Sequence, residues 1–164
     1  MANQKCAVII SCFPGLGKSA LHGLSHDGSC TDPQGKYTIY DVQKMAQDQE
    51  SVEYWQTVEA LAQEEGAVVL VAASGDGHRR LLSSGWHFVC VYPGVDIKDV
   101  YLRQYFDRVG IDRTWISLYR YWKEKIEELG IGSDEACTYC ELAVGEDLED
   151  VLPCILAGVE DGAF

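Results

Sequence analysis

Residues 6–19 read CAVIISCFPGLGKS, an apolar run that leads into a glycine-rich turn. The run at 6–11 is continuously apolar, which is typical of a strand buried on both faces of a sheet. Gly15 and Gly17 permit backbone conformations and close approaches that other residues resist. We expect residues 18–24 to form a helix after this turn, so the stretch predicts the first strand–turn–helix unit of an α/β fold.

The same alternation continues along the chain. Further strands are predicted at 37–41, 67–73, 86–92 and 138–144, and helices at 51–65, 76–84, 96–109, 112–129 and from 145 to about 156, with a loop at 26–35. The order predicts a mostly parallel sheet of about five strands with helices on both faces. Ligands in such sheets bind beyond the carboxyl ends of the strands. That edge carries residues 12–19, 41–44, 74–80 and 93–96.

Composition limits the classes of function. The chain has 164 residues, 47% of them hydrophobic and 24% charged, which predicts one domain with a substantial core. The formal net charge is −13, and extended binding to nucleic acid would need a basic face instead. The apolar runs are too short for a membrane span and the first residues do not resemble a signal peptide, so we expect a cytoplasmic protein without membrane contact.

Two further features have plain interpretations. The seven cysteines are an odd number, and a disulfide framework is not expected in the cytosol. Cys137 and Cys140 form a lone C-x-x-C, which lacks the second ligand pair that zinc needs. No Lys or Arg follows Lys125, so segment 126–164 is acidic. We interpret it as a solvated face, with a docking surface for a basic partner as the alternative.

The strongest motif is the turn itself. The pattern G-x-x-x-x-G-K-[ST] between a strand and a helix is a phosphate-binding P-loop, and residues 12–19 match it except that Cys12 replaces the first glycine. Its backbone N–H groups surround phosphate oxygens, and a helix N-terminus adds positive charge. The residues expected to bind a nucleoside triphosphate are Pro14, Gly15, Leu16, Gly17, Lys18, Ser19 and Ala20. Lys18 would reach the β- and γ-phosphates, and the Ser19 hydroxyl would bind Mg²⁺.

The third predicted strand ends without the acid that motor and switch ATPases usually carry there. The chain instead resembles the P-loop small-molecule kinases, such as gluconate, shikimate and nucleoside monophosphate kinases. In those enzymes the functional acid often stands at the end of the second strand, which is the position of Asp41 here. Over roughly residues 6–150 it is most similar to small phage-encoded proteins related to deoxynucleoside monophosphate kinases. The order that carries this likeness is 13–19, Asp41, Ala73-Ser74, Arg79, Tyr92-Pro93, Arg103 and Arg108, and Trp122.

The resemblance implies a single P-loop NTPase domain over 1–164, with a short helical lid at about 96–120. It implies ATP and Mg²⁺ as cofactors and makes Lys18, Asp41 and Arg108 the candidate catalytic residues. Asp41 would orient a metal-bound water or accept the acceptor's proton. Arg79, Arg103 and Arg108, together with Asp41, would bind the substrate.

Other residues are weaker candidates. His78 and Arg80 flank Arg79, and Arg113 and Arg120 lie in or beside the expected lid. Trp115 and Tyr119, four residues apart on one helix face, would stack on an acceptor base, although core packing is the more ordinary role for such aromatics.

The expected function is ATP-dependent phosphoryl transfer to a small acceptor, in first place a nucleoside monophosphate. Two alternatives stay open. One is a kinase for another hydroxyl compound, such as a sugar acid or a modified nucleobase. The other is a nucleotide-binding module without catalysis, which the replacement at Cys12 keeps in consideration.

Overall fold

A computed structural model describes residues 7–46 and 51–163 of the chain. Its strands are β1 (Val8–Cys12), β2 (Ser29–Thr31), β3 (Thr38–Asp41), β4 (Ala67–Ala72), β5 (Phe88–Pro93) and β6 (Cys137–Leu142). Its α-helices are α1 (Val42–Met45), α2 (Val52–Ala62), α3 (Gly75–Ser83), α4 (Lys98–Val109), α5 (Arg113–Glu127) and α6 (Leu148–Glu160). Two 3₁₀ turns occur at Lys18–Ala20 and Val95–Ile97.

The strands form one sheet in the order β2-β3-β4-β1-β5-β6. Every pairing is parallel except that of β2 with β3. β1 is central, and its Ile10 lies opposite Leu70 of β4 and Val89 of β5. The predicted α/β class and mostly parallel sheet are therefore confirmed. The sheet has six strands in the described residues rather than about five, because β2 forms within the segment predicted as loop.

The central strands hold the core. Every residue of β1 is buried, as its continuous apolar sequence predicts, although the strand begins and ends later than the predicted 6–11, and Cys6 lies outside the described residues. Burial of a large aliphatic side chain such as Ile10 or Leu70 contributes about 1.5–3 kcal/mol each. The rigid middle of the sheet thereby fixes the position of the turn that follows β1.

The predicted helix at 18–24 is wrong. Only the 3₁₀ turn Lys18–Ala20 forms, and Leu21 after it is extended, with φ −57° and ψ 133°. Gly23 then has a φ of +77°, which is incompatible with a right-handed helix. So short an apolar segment cannot offset the cost of helix nucleation before this glycine. The turn is therefore not followed by the N-terminus of an α-helix, whose partial positive charge would favour a phosphate.

Aromatic side chains connect the turn to the helices above it. The ring of Phe13 packs edge-on against the rings of Tyr101 in α4 and Trp122 in α5, with centroids 6.0 and 5.6 Å apart. The Trp122 indole N–H donates to the carbonyl of Val95 at 2.9 Å. The helix pair α4–α5, which matches most of the predicted lid, is therefore anchored beside the start of the turn.

α4 and α5 are separate helices with local breaks. Gly110, with a φ of +92°, ends α4, and the side chain of Asp112 caps α5 by accepting from the N–H of Trp115. Within α5, Tyr121 has the non-helical angles φ −125° and ψ 30°, which divide it into two parts. The junction of the two helices thus lies at Gly110, between the helices predicted at 96–109 and 112–129.

Cys137 and Cys140 both lie on β6. Successive side chains of a strand alternate between its faces, so residues three apart point to opposite sides of the sheet. This geometry separates the two thiols of the C-x-x-C pair. No helix in the described residues has both the length and the apolar character needed to cross a membrane.

Candidate functional site

A cleft of about 1140 Å³ lies at the carboxyl ends of β1, β3 and β4, beneath α4 and α5. Three of the four segments expected at this edge contribute to it, namely residues from 12–19, 41–44 and 74–80. Residues 93–96 do not line it. The two helices close it from the other side, with Tyr105, Arg108, Arg113, Ser117 and Lys125 among the lining residues.

The cleft is positively charged in an acidic protein. Five of the 13 Lys and Arg residues of the chain line it, whereas Asp41 is the one carboxylate among its described lining residues. The cations are Lys18, Lys44, Arg108, Arg113 and Lys125. The chain as a whole carries a formal charge of −13, so the cations are concentrated in the cleft rather than spread evenly. The local positive charge favours an anionic ligand.

The turn Phe13-Pro14-Gly15-Leu16 forms the floor of the cleft. Proline in its second position and a φ of +83° at Gly15 in the third are the signature of a type II turn. Gly17 also has a positive φ, +88°. Among the described residues, no group accepts a hydrogen bond from the backbone N–H of Gly15, Gly17 or Lys18. These amides are therefore available to an anion.

Arg108 lies directly over this turn. Its Nη2 donates to the carbonyl of Gly15 at 2.5 Å, and its Nη1 would lie 2.5 Å from a Cβ at Gly17. A guanidinium has five N–H donors, so this contact leaves others for a phosphate. Arg108 thus lies within reach of an anion bound at the turn.

Lys18 and Asp41 line the cleft as well. The Lys18 ammonium donates to Oε1 of Gln43 at 3.0 Å. Asp41, at the end of β3, is only 4% exposed, and its Oδ1 has no hydrogen-bond partner among the described residues. Such a group is costly to bury unless it serves a ligand. The carboxylate is therefore a strong candidate for a functional group.

Cys12 causes no distortion of the turn. Its side chain is 1% exposed, and burial raises the pKa of its thiol to about 12, so the sulfur stays neutral. Among the described residues, only glycines have a positive φ. The backbone at position 12 therefore does not need the freedom of glycine, and the departure from the motif leaves the turn intact.

The remaining predicted residues are placed as follows. Pro14, Leu16 and Ala20 line the cleft with the residues above, but the side chain of Ser19 lies outside the described part of the chain. Arg79 pairs with Asp76, and Arg103 lies 3.9 Å from Asp107. Both arginines are strongly exposed and neither lines the cleft.

The weaker candidates also differ in whether they line the cleft. Arg113 lines the cleft, whereas Arg80 and Arg120 do not. His78 is buried, with Nε2 at 2.7 Å from the Ser11 hydroxyl and Nδ1 at 3.3 Å from the Leu129 carbonyl. Trp115 and Tyr119 stack on each other, with ring planes 6° apart.

Sequence reasoning missed several lining residues. Gln43, Lys44, Tyr105 and Lys125 carry no motif of their own. The spacing of Tyr101, Tyr105 and Arg108 is a signal that was present, because residues at i, i+4 and i+7 share one face of a helix. Gln43 and Lys44 stand two and three residues after Asp41, inside the segment 41–44 expected at the sheet edge, but nothing in the sequence gives either of them a role.

No protein-family model matches the chain, and no curated protein matches it either. The resemblance to P-loop kinases thus rests on the residues and their order.

Proposed function

We propose that this protein is a phosphotransferase of the P-loop kinase type, which transfers the terminal phosphoryl group of ATP to a small acceptor. The observation that carries the proposal is the cleft described above. Among the described residues, unpaired turn amides, five cations and a buried carboxylate with one unpartnered oxygen line it. Phosphoryl transfer depends on positioning and on neutralising charge, and these are the groups that it needs.

Each group has a role in the transfer. The amides of Gly15 and Gly17, with the Lys18 ammonium, bind the donor phosphates. An acceptor oxygen attacks the γ-phosphorus as the bond to the β–γ bridging oxygen breaks, so that ADP leaves with the bond electrons. Arg108 neutralises charge on the transferring group from above the turn. Asp41 accepts the proton of a hydroxyl acceptor or orients the water of a bound cation.

Mg²⁺ is the metal that the motif implies. It prefers octahedral oxygen ligands and takes one or two carboxylates together with phosphates and water. The free Oδ1 of Asp41 fits this preference, and the motif adds the Ser19 hydroxyl as the second protein ligand. Bound there, the ion supplies charge neutralisation for the phosphates.

A nucleoside monophosphate is our proposed acceptor. The cleft exceeds the usual volume of a pocket for one small ligand, which is about 300–1000 Å³, and so offers space for a second. Arg113 and Lys125, both on α5, add two cations to the cleft besides Lys18 and Arg108. We assign them to binding an anionic acceptor. Arg79 and Arg103 remain candidates from the resemblance alone.

A binding module without catalysis is the second candidate, and one observation favours it. The helix that normally follows a phosphate loop is reduced here to the 3₁₀ turn Lys18–Ala20. Triphosphate binding then depends on the turn amides and the side-chain cations, without the contribution of a helix terminus.

ADP release measured with ATP, Mg²⁺ and a panel of nucleoside monophosphates, sugar acids and other hydroxyl compounds tests the proposal. We expect Lys18→Ala to lose ATP binding and turnover together. Asp41→Asn should still bind ATP but lose about 100-fold or more in turnover. Lys123→Ala removes the same charge from an exposed site outside the cleft and is the control.

The outcomes separate the candidates. Turnover with a monophosphate supports the proposed acceptor, and turnover with a hydroxyl compound alone shifts the assignment to that class. ATP binding without turnover for any acceptor establishes the module. Failure of the unaltered protein to bind ATP contradicts the phosphate site itself.

A further inference from the structure

The carbonyls of the turn are held by residues from other elements. The Tyr101 hydroxyl of α4 donates to the carbonyl of Pro14 at 2.7 Å. The backbone N–H of Leu148, at the start of α6, donates to the carbonyl of Leu16 at 3.0 Å. Both donors are buried, Tyr101 at 4% exposure and Leu148 at 0%. Two peptide units of the turn are therefore held from the protein interior.

Peptide geometry converts these contacts into a direction for the amides. A trans peptide unit is planar, so its carbonyl and its N–H point in opposite directions, and no described peptide bond is cis. The carbonyl of Pro14 shares its unit with the N–H of Gly15, and that of Leu16 shares its unit with the N–H of Gly17. With both carbonyls bonded to buried donors, both amides point away from those donors, and Gly15 and Gly17 both line the cleft.

The central peptide of a four-residue turn is the part that differs between types I and II, which place it in opposite orientations. Here that unit joins Pro14 to Gly15. The Tyr101 hydroxyl bonds its carbonyl and thereby favours the type II orientation over the other. Burial raises the pKa of Tyr101 well above its ordinary value, so the hydroxyl keeps the proton that it donates.

One carbonyl between the two held units is left, that of Gly15. A carbonyl oxygen beside an anion site would repel the anion. Arg108 covers this oxygen with its guanidinium, from the same helix as Tyr101. The face of α4 that carries Tyr101, Tyr105 and Arg108 thus acts on consecutive parts of the turn.

We infer that Tyr101 is a positioning residue for the phosphate site, which sets the Gly15 amide toward the anion through its bond to the Pro14 carbonyl. This inference rests on the proposed function and names a residue to which no motif points. Tyr139 provides a matched control. Its hydroxyl also donates to a backbone carbonyl, that of Gly130 at 2.9 Å, but it lies on β6 and does not line the cleft.

Calorimetric titration of the full chain with inorganic tripolyphosphate tests the role without a nucleoside. We expect Tyr101→Phe, which keeps the ring and its packing, to bind about 5- to 10-fold more weakly than the unaltered protein. Tyr139→Phe should bind within about 2-fold of it. Equal affinities for the two variants overturn the inference but leave the proposed function standing. No binding by the unaltered protein overturns the proposed function as well.

A second measurement does not depend on whether the variant folds. In the unaltered protein labelled with ¹⁵N-glycine, we expect tripolyphosphate to shift the amide resonances of Gly15 and Gly17 more than that of Gly85, which lies outside the cleft. Saturable binding that leaves the Gly15 resonance in place shows that this amide does not face the anion, and the inference is then wrong.

Discussion

Asp41 and Asp32 are both buried aspartates, yet their surroundings differ. Asp32 accepts hydrogen bonds from the backbone N–H groups of Gln34, Lys36 and Tyr37, at 3.2, 2.7 and 2.6 Å. Asp41 has an oxygen without any partner in the described part of the chain. The first carboxylate stabilises a turn, whereas the second costs stability, a cost that a ligand bound to it would offset.

This contrast predicts opposite effects of the same substitution. Asp41→Asn replaces a buried carboxylate whose Oδ1 has no hydrogen-bond partner among the described residues, and we expect the free energy of unfolding to rise by about 1 kcal/mol. Asp32→Asn weakens three charge-assisted hydrogen bonds and should lower it by about 1–2 kcal/mol. Urea unfolding of both variants measures the difference. A loss of stability in Asp41→Asn would mean that Asp41 is a structural residue after all.

A buried histidine connects secondary-structure elements from three parts of the fold. His78 of α3 lies between Ser11 of β1 and the carbonyl of Leu129 just beyond α5, so one imidazole joins three parts of the fold. Its Nδ1 must donate to that carbonyl, and its Nε2 then accepts from the Ser11 hydroxyl, which is the arrangement of a neutral ring. The Ser–His pair is too deeply buried to act on a substrate.

Burial lowers the pKa of His78 below its ordinary value of 6.5. The unfolded chain therefore binds a proton at a pH where the folded chain does not, and stability is lost as the pH falls below 6.5, by up to about 1.4 kcal/mol per pH unit until the folded pKa is reached. Urea midpoints at pH 7.5 and 5.5 should differ in the unaltered protein. His78→Gln should reduce this difference, whereas the exposed His26→Gln should retain it.

The sequence predicts features that depend on neighbouring residues better than features that depend on tertiary contacts. Continuous apolar runs identified β1 and β4, because a strand buried on both faces needs no distant information. The predicted helix at 18–24 does not form, because Gly23 adopts a positive φ that a right-handed helix cannot contain. The division between Arg108, over the turn, and Arg103, in solvent, depends on which face of α4 meets the turn. That is a tertiary property, and only the shared spacing with Tyr101 hinted at it.

At the scale of the whole molecule, charge is unevenly distributed. The formal charge is −13, while the described residues that line the cleft include five cations and a single carboxylate. Repulsion among the surface acids opposes the compact state, and the cations attract phosphates. Added salt screens both effects, over a distance of about 10 Å at 0.1 M ionic strength.

Salt should therefore change stability and binding in opposite directions. Raising sodium chloride from about 20 to about 300 mM is expected to raise the thermal midpoint of the free protein and to weaken its affinity for tripolyphosphate. Differential scanning fluorimetry and calorimetric titration measure the two quantities, with choline chloride to separate screening from specific sodium binding. A midpoint that falls with salt would show that attractive ion pairs outweigh repulsion.

The packing of Trp122 has a practical consequence. Its ring lies against Phe13, the first residue of the turn, and against Tyr101, the residue that holds the turn in place. An indole in this position reports on any rearrangement of the turn through its emission. Ligand occupancy can then be followed by intrinsic fluorescence without an added dye, and Trp122→Phe identifies the share of the signal that comes from this site.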